Sequence, residues 1–266
     1  MRDKTLKAAD YLKAKIKTTP DIGVVLGSGL GGLAEEFEEE VRIKFKDIPH
    51  FPESSVKGHK GEIVAGKLCG KDVIAMAGRI HFYEGLSMAE ITFPIRVMAE
   101  LGVGKLIVSN AGGAVNKNFT PGDIVIIKDH INLMGDNPLK GRPDFIDMTT
   151  AYSPALRSLA SAVGSDLGID LKSGVYVANS GPSYETPAEV KMAGIIGGDI
   201  VGMSTVPEVI LANRFGIEVL GLSMITNMAA GITGNKLSHE EVIETTEIAQ
   251  EKFKSLVREI ITRMTV

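Results

Sequence analysis

Six apolar runs in this chain each end on a cluster of small and polar residues. The clusters are GSG after Leu26, GRIH after Ala77, SNAGG after Val108, NSGPSYE after Ala178, MSTVPE after Gly202 and TN after Ile225. A short apolar run bounded by such residues reads as a strand buried on both faces, as in a sheet covered by helices. In α/β sheets, ligands gather where strands end, and glycine there lets the backbone come close. One such cluster says little. Six of them predict a crowded ligand site assembled from most of the chain.

Helical signals fall between the runs. Leu6, Ala9, Leu12 and Ile16 recur at helical spacing and predict an amphipathic helix ending before Pro20. Capping boxes at Ser87/Glu90, Thr186/Glu189, Thr205/Glu208 and Ser238/Glu241 predict four helix starts. The first helix runs to about Leu101 and the last almost to Val266. Ser153-Pro154 opens another, with proline in the first turn, where its missing N–H costs nothing. A short acidic helix is expected up to Glu40, and Val41, Ile43 and Phe45 alternate with charges as in a half-exposed strand. Further strands are expected over Ile22–Leu26, Glu62–Lys67, Asp72–Gly78, Lys105–Ser109, Gly122–Lys128, Gly174–Ala178, Asp199–Met203 and Glu218–Thr226. This alternation predicts an α/β fold with a parallel or mixed sheet covered on both faces. No linker or repeat interrupts it, so one domain is expected over residues 1–266. The stretch from Ile131 to Tyr152 is long for a structureless loop, and such loops often carry function.

Composition narrows the function classes. A net charge of −4 argues against a nucleic-acid binder, and 5% aromatics with no tryptophan argue against a stacking platform for single strands. No apolar run is long enough to span a membrane, and Met1–Lys17 lacks the apolar core of a leader peptide. The lone cysteine, Cys69, allows no internal disulfide, which suits a reducing cytosol; Cys69 itself reads as a small buried residue. The histidines, His50, His59, His81, His130 and His239, form no close-spaced ligand pair, so no metal is expected. His130 reads as a buried, hydrogen-bonded side chain.

Gly27, Gly29 and Gly32 fit the G-x-G-x-x-G spacing of a dinucleotide-binding turn, and Asp47 stands where a ribose-binding acid would. The strand before Asp47, however, alternates apolar and charged residues, unlike a central strand of that fold. A loop of backbone amides holds phosphate equally well. Arg79 and His81 are two apart and share one side of an extended segment. Arg79 reads either as a bidentate phosphate ligand or as a strand-end arginine paired with a surface acid.

Taken in order, GSGLGG, GHKGE, GRIHFYEG, SNAGGA, GDIVIIKDHINL, NPLKG, GPSYETPAE, GMSTVPEV and ITNMAAG resemble the purine nucleoside phosphorylases of the trimeric class, from Gly23 to about Val242. The resemblance implies a three-layer αβα phosphorylase-type fold with a mixed, partly barrel-like central sheet. It implies attack of phosphate on the anomeric carbon of a purine nucleoside, with phosphate as co-substrate and no cofactor. The phosphate site would comprise Ser28, Arg79, His81, Ser204, the amide of Ala111 and, at its mouth, His59. The base site would comprise Tyr184, Glu185, Thr226 and Asn227; Glu185 would accept from the ring N1–H and Asn227 would donate to N7 or O6. The sugar would meet Tyr83, Met203, His239 and Phe145 of a neighbouring subunit. His81, Glu185 and Asn227 would be the catalytic groups.

Some positions depart from the family pattern. Tyr184 stands where some relatives have Phe, GRPDFIDM matches loosely, and AAGITGNKL (residues 229–237) looks bacterial. Methylthioadenosine phosphorylases carry Asp at the position of Asn227, so Asn227 tilts the expectation toward 6-oxopurines such as inosine and guanosine. On its own, Asn227 also reads as a strand-end turn cap.

Overall fold

Among the described residues, nine strands form one continuous sheet. In chain order they are β1 (Ile22–Leu26), β2 (Glu38–Lys44), β3 (Glu62–Leu68), β4 (Lys71–Ala77), β5 (Lys105–Ala114), β6 (Ile124–Asn132), β7 (Lys172–Ala178), β8 (Ile200–Gly202) and β9 (Glu218–Met228). The spatial order is β2-β3-β4-β1-β5-β8-β7-β6-β9, and β9 also pairs back onto β5. The last five strands of that order therefore close into a barrel, and the first four extend from it as an open wing. The structure, a computed structural model, describes residues 1–28, 30–54, 60–142, 145–233 and 239–265; the side chains of 239–244, 246 and 247 fall outside that description.

Strands β4, β1, β5 and β9 run parallel. β8 meets β5 antiparallel, and β7 runs with β8. The mixed sheet is thus as expected, whereas the six strand ends do not lie along one parallel edge. They converge because β8 pairs antiparallel with the last two residues of β5, Gly113 and Ala114. The cluster SNAGG does not follow a strand either. It lies inside β5, which continues to Ala114 through a register shift at Gly112/Gly113.

Helices cover both faces. α1 (Arg2–Lys13), α3 (Phe93–Glu100) and α6 (Val206–Arg214) pack on one side, and α4 (Pro154–Asp166) and α7 (His239–Arg263) on the other. β1 shows how the sequence makes two layers. Ile22, Val24 and Leu26 point toward α4 and α7, while Val25 points toward α1 and α3, as the two-residue period of a strand requires. On α7, Phe253, Leu256, Val257, Ile260 and Ile261 fall at helical spacing and are fully buried. Each such side chain contributes roughly 1.5–3 kcal/mol by leaving water.

Several local expectations are corrected. The acidic segment is a 3-10 turn, Gly31–Glu36, and Glu38–Glu40 belong to β2, an edge strand where exposed charge deters pairing with another chain. The helix opened by Ser87 breaks at Thr92 into α2 (Met88–Ile91) and α3, because Pro94 has no N–H to continue the ladder. Cys69 is exposed rather than buried. It forms, with Gly70, the two-residue turn between β3 and β4, both at positive φ (54° and 75°) as the right-handed strand twist favours. Asp47 is exposed beyond the end of β2, and β3 and β4 separate that strand from β1. A dinucleotide fold needs its second strand beside the first, so that reading falls. Ser238, the expected cap of α7, lies outside the described residues. No helix among the described residues is long and apolar enough to cross a membrane.

Candidate active site

A cleft with an empty volume of about 750 Å³ opens where the wing joins the barrel. β1 delivers Gly27 and Ser28, the segment after β4 delivers Arg79, His81 and Tyr83, and β5 delivers Asn110 and Ala111. The segments after β7 and β8 deliver Tyr184, Glu185, Met203 and Ser204, and β9 delivers Thr226 and Asn227. All six polar clusters of the sequence therefore meet in one place. Gly27 is required there: a β-carbon would lie 2.6 Å from the Ser109 carbonyl oxygen and 2.8 Å from Asn110 Cα. Both are backbone atoms of β5, with no room to give.

Arg79 is the centre of one end. It is 1% exposed, and its guanidinium faces partners that are themselves buried or part-buried. One terminal nitrogen donates to Ser204 Oγ (2.7 Å) and Thr205 Oγ1 (2.6 Å), and the other to the Ser109 carbonyl (2.5 Å). Its Nε stands 3.6 Å from the buried carboxylate of Glu208. These partners lock a fork-shaped cation beside the cleft. His81 lies buried next to it and stacks on Tyr83, with centroids 4.7 Å apart and planes 13° from parallel. The Glu84 carboxylate accepts from the His81 backbone N–H at 2.7 Å. Burial pushes the His81 imidazole below its ordinary value, against the opposing pull of Glu84. The ring is therefore neutral near pH 7 and offers one donor and one acceptor. Burial likewise pushes the Tyr83 hydroxyl up to about 12, which keeps it protonated.

The other end presents a carboxylate and an amide. Asn179 donates to Glu185 Oε1 at 2.7 Å. Thr226 donates to Asn227 Oδ1 at 2.9 Å, and Asn227 Nδ2 donates to the Met228 carbonyl at 3.0 Å. Held by these two bonds, the Asn227 amide keeps one N–H for a ligand. Met203 lies between the two ends, against Gly181 and close to Tyr83.

Thr205 does not cap α6 with its side chain, contrary to the sequence reading. Its hydroxyl is taken by Arg79 and by Asn110 Nδ2 (2.9 Å), and Ser223 donates to Asn110 Oδ1 at 2.7 Å. Thr205 and Glu208, which the sequence suggests only as a capping box, join Asn110, Ser223 and Asn179 around the site without having been assigned to it from sequence. A lone serine in the apolar run VLGLSMIT was the only signal for Ser223. Phe145 does not join the cleft; it is fully exposed in the irregular segment. His130 is half-buried and hydrogen-bonded to the Tyr152 hydroxyl at 3.2 Å. His59 and Gly29 lie outside the described residues, as does the side chain of His239. Among the described residues no group of three or more His, Cys, Asp or Glu side chains could hold a metal ion.

The fold and the sequence have known counterparts. Residues 21–262 match the family model described as phosphorylase superfamily. Purine nucleoside phosphorylase 1 of Geobacillus stearothermophilus is 55% identical over 264 residues, covering 97% of this chain and 96% of that protein. The crystal structure of isoform 2 of purine nucleoside phosphorylase from Schistosoma mansoni, in complex with cytosine and ribose-1-phosphate, superposes with a TM-score of 0.95 at 42% identity, covering 99% of this chain and 97% of that one. The Schistosoma mansoni purine nucleoside phosphorylase in complex with inosine gives 0.94 at 39% identity, with 99% and 97% coverage. The chain is thus a member of the phosphorylase superfamily. Within it, the chain belongs to the purine nucleoside phosphorylase family.

Proposed function

We propose that the chain phosphorolyses purine ribonucleosides and deoxyribonucleosides, with a preference for 6-oxopurines such as inosine and guanosine. One observation carries this reading: Arg79, His81 and Ser204 gather at one end of a cleft whose other end presents Glu185 and Asn227. Phosphate binds against Ser28, Arg79, His81, Ser204 and the Ala111 amide, with His59 at the mouth. These are mainly donors, as an oxyanion needs. The purine lies by Tyr184 with N1–H toward Glu185, and the sugar lies over Met203 with its hydroxyls near Tyr83 and His239.

A phosphate oxygen forms a bond to C1′ as the C1′–N9 bond breaks, and the N9 electron pair leaves with the purine. The purine takes up the proton that hydrogen phosphate loses on becoming the ester, so the products are free base and (deoxy)ribose 1-phosphate. Charge gathers on the purine's N7 and O6 as the bond breaks, so the Asn227 N–H strengthens its contact on the way to the transition state. Thr226 holds that amide in place. The protein aligns both reactants, an effect that lowers barriers by roughly 7–11 kcal/mol in favourable cases. No cofactor takes part. The reading carries with it a single catalytic domain, a cytosolic enzyme of purine salvage and a homotrimer in which Phe145 completes a neighbour's sugar site.

The test is base release from inosine, guanosine, adenosine and methylthioadenosine, with and without inorganic phosphate. Inosine and guanosine should be cleaved only with phosphate. Cleavage at equal speed without phosphate would reject phosphorolysis, and faster turnover of methylthioadenosine would make the chain a methylthioadenosine phosphorylase.

A further inference from the structure

We propose that Thr205 is a positioning residue that sets the direction of the hydroxyl protons at the Arg79 end of the cleft, so that Ser204 can only donate to a bound oxyanion. That the oxyanion is phosphate rests on the phosphorolysis reading above.

The inference follows from counting lone pairs. A hydroxyl has one proton to give and two lone pairs to fill. Ser223 on β9 and Asn110 on β5 are register partners in the barrel wall, and both are buried. Ser223 donates to Asn110 Oδ1 at 2.7 Å, which turns the Asn110 amino group toward Thr205. Thr205 Oγ1 accepts from Asn110 Nδ2 at 2.9 Å and from Arg79 at 2.6 Å, so both its lone pairs are filled. In the 3.1 Å contact between the two hydroxyls, Thr205 must therefore donate to Ser204. Ser204 Oγ then accepts from Thr205 and from Arg79 (2.7 Å), and its own proton is left to give, to the buried Tyr176 hydroxyl beside it or to a ligand in the cleft that it lines. Polarity runs one way, from Ser223 through Asn110 and Thr205 to Ser204.

The backbone supports the same reading independently. The Val206 N–H donates to the Ser204 carbonyl at 2.8 Å, closing a three-residue turn around Thr205 at φ 71°, ψ −52°. That γ-turn is rare for any residue and disfavoured for a β-branched one, whereas glycine adopts positive φ freely. Threonine at such a position implies that its side chain is needed. Strained residues of this kind cluster at ligand clamps.

The experiment titrates inorganic phosphate by calorimetry and measures separate KM values for phosphate and inosine. Thr205→Val keeps the branched shape and removes the hydroxyl; Thr205→Gly relaxes the turn and removes it; Thr205→Ser keeps it. Since a hydrogen bond to a charged group is a strong one, Thr205→Val and Thr205→Gly should raise the phosphate Kd about ten- to hundredfold. Their KM for inosine should stay unchanged. Thr205→Ser should bind phosphate like the unmodified chain, and Ser223→Ala should weaken it in the same sense but less. Wild-type phosphate affinity in Thr205→Val overturns the inference; should that variant not fold, the same result in Thr205→Gly does so. If the unmodified chain binds phosphate but releases no base from inosine, phosphorolysis fails and the titration still decides the role of Thr205. If it binds no phosphate, both fall.

Discussion

At the scale of single residues, the site depends on which protons are already committed. Asn179 gives one N–H to Glu185 Oε1 at 2.7 Å, which fixes the carboxylate's rotation. Asn179→Ala should lower kcat/KM for inosine about five- to tenfold, the worth of roughly one hydrogen bond, while the phosphate KM holds. An equal loss for both substrates would mean general damage instead. Two imidazoles make stability depend on pH. Burial holds His81 and His130 below the ordinary value of 6.5, so over that window the unfolded chain binds more protons than the folded one. Stability then rises with pH. The melting temperature should fall as pH drops from about 7.5 to 5.5, a range where carboxylates remain ionised. His130→Gln should flatten that fall, and a slope unchanged by the substitution would count against the assignment.

At the scale of elements, β5 is the spine of the site. It pairs with β1 and, further along the same edge, with β8, while β9 runs along its other edge, and its middle residues face the cleft. Gly27 lets β1 end close against it. Gly27→Ala would place a methyl carbon inside contact distance of the Ser109 and Asn110 backbone, forcing the two strands apart. Overpacking of this kind costs about 1–3 kcal/mol. The expected outcome is a lower denaturation midpoint together with weaker phosphate affinity, since Ser28 and Ala111 move apart. Full retention of both would show that the β1–β5 approach is not needed. At Gly202 the fold makes a comparable close approach to Tyr176, a fully buried side chain, so barrel packing and site geometry share residues.

At the scale of the whole molecule, Phe145 is fully exposed, an unusual state for a large aromatic side chain. A neighbouring copy covering it would remove that apolar surface from water. Phe145→Ala should then raise the KM for inosine about tenfold and leave the phosphate KM alone, given roughly 1.5–3 kcal/mol for a buried aromatic. Sedimentation of the unmodified chain should report a trimer. A monomer with full activity would refute the shared site.

The sequence by itself determined the alternation of strands and helices, the two-sided burial of β1, three of the capped helix starts or their equivalents at Ser87, Ser153 and Thr186, and the six clusters that line the cleft. Those features rest on interactions within a few residues: strand and helix periods, caps, and prolines without an N–H. Only the tertiary structure decided that β9 returns to β5 to close a barrel, that SNAGG lies within a strand, and that Thr205 serves Arg79 instead of α6. It also decided that Glu208, four residues beyond Ser204, sits buried beside Arg79, and that Asn110 meets Ser223 across 113 residues of chain. Such contacts depend on which strands become neighbours, and a local pattern carries no record of that.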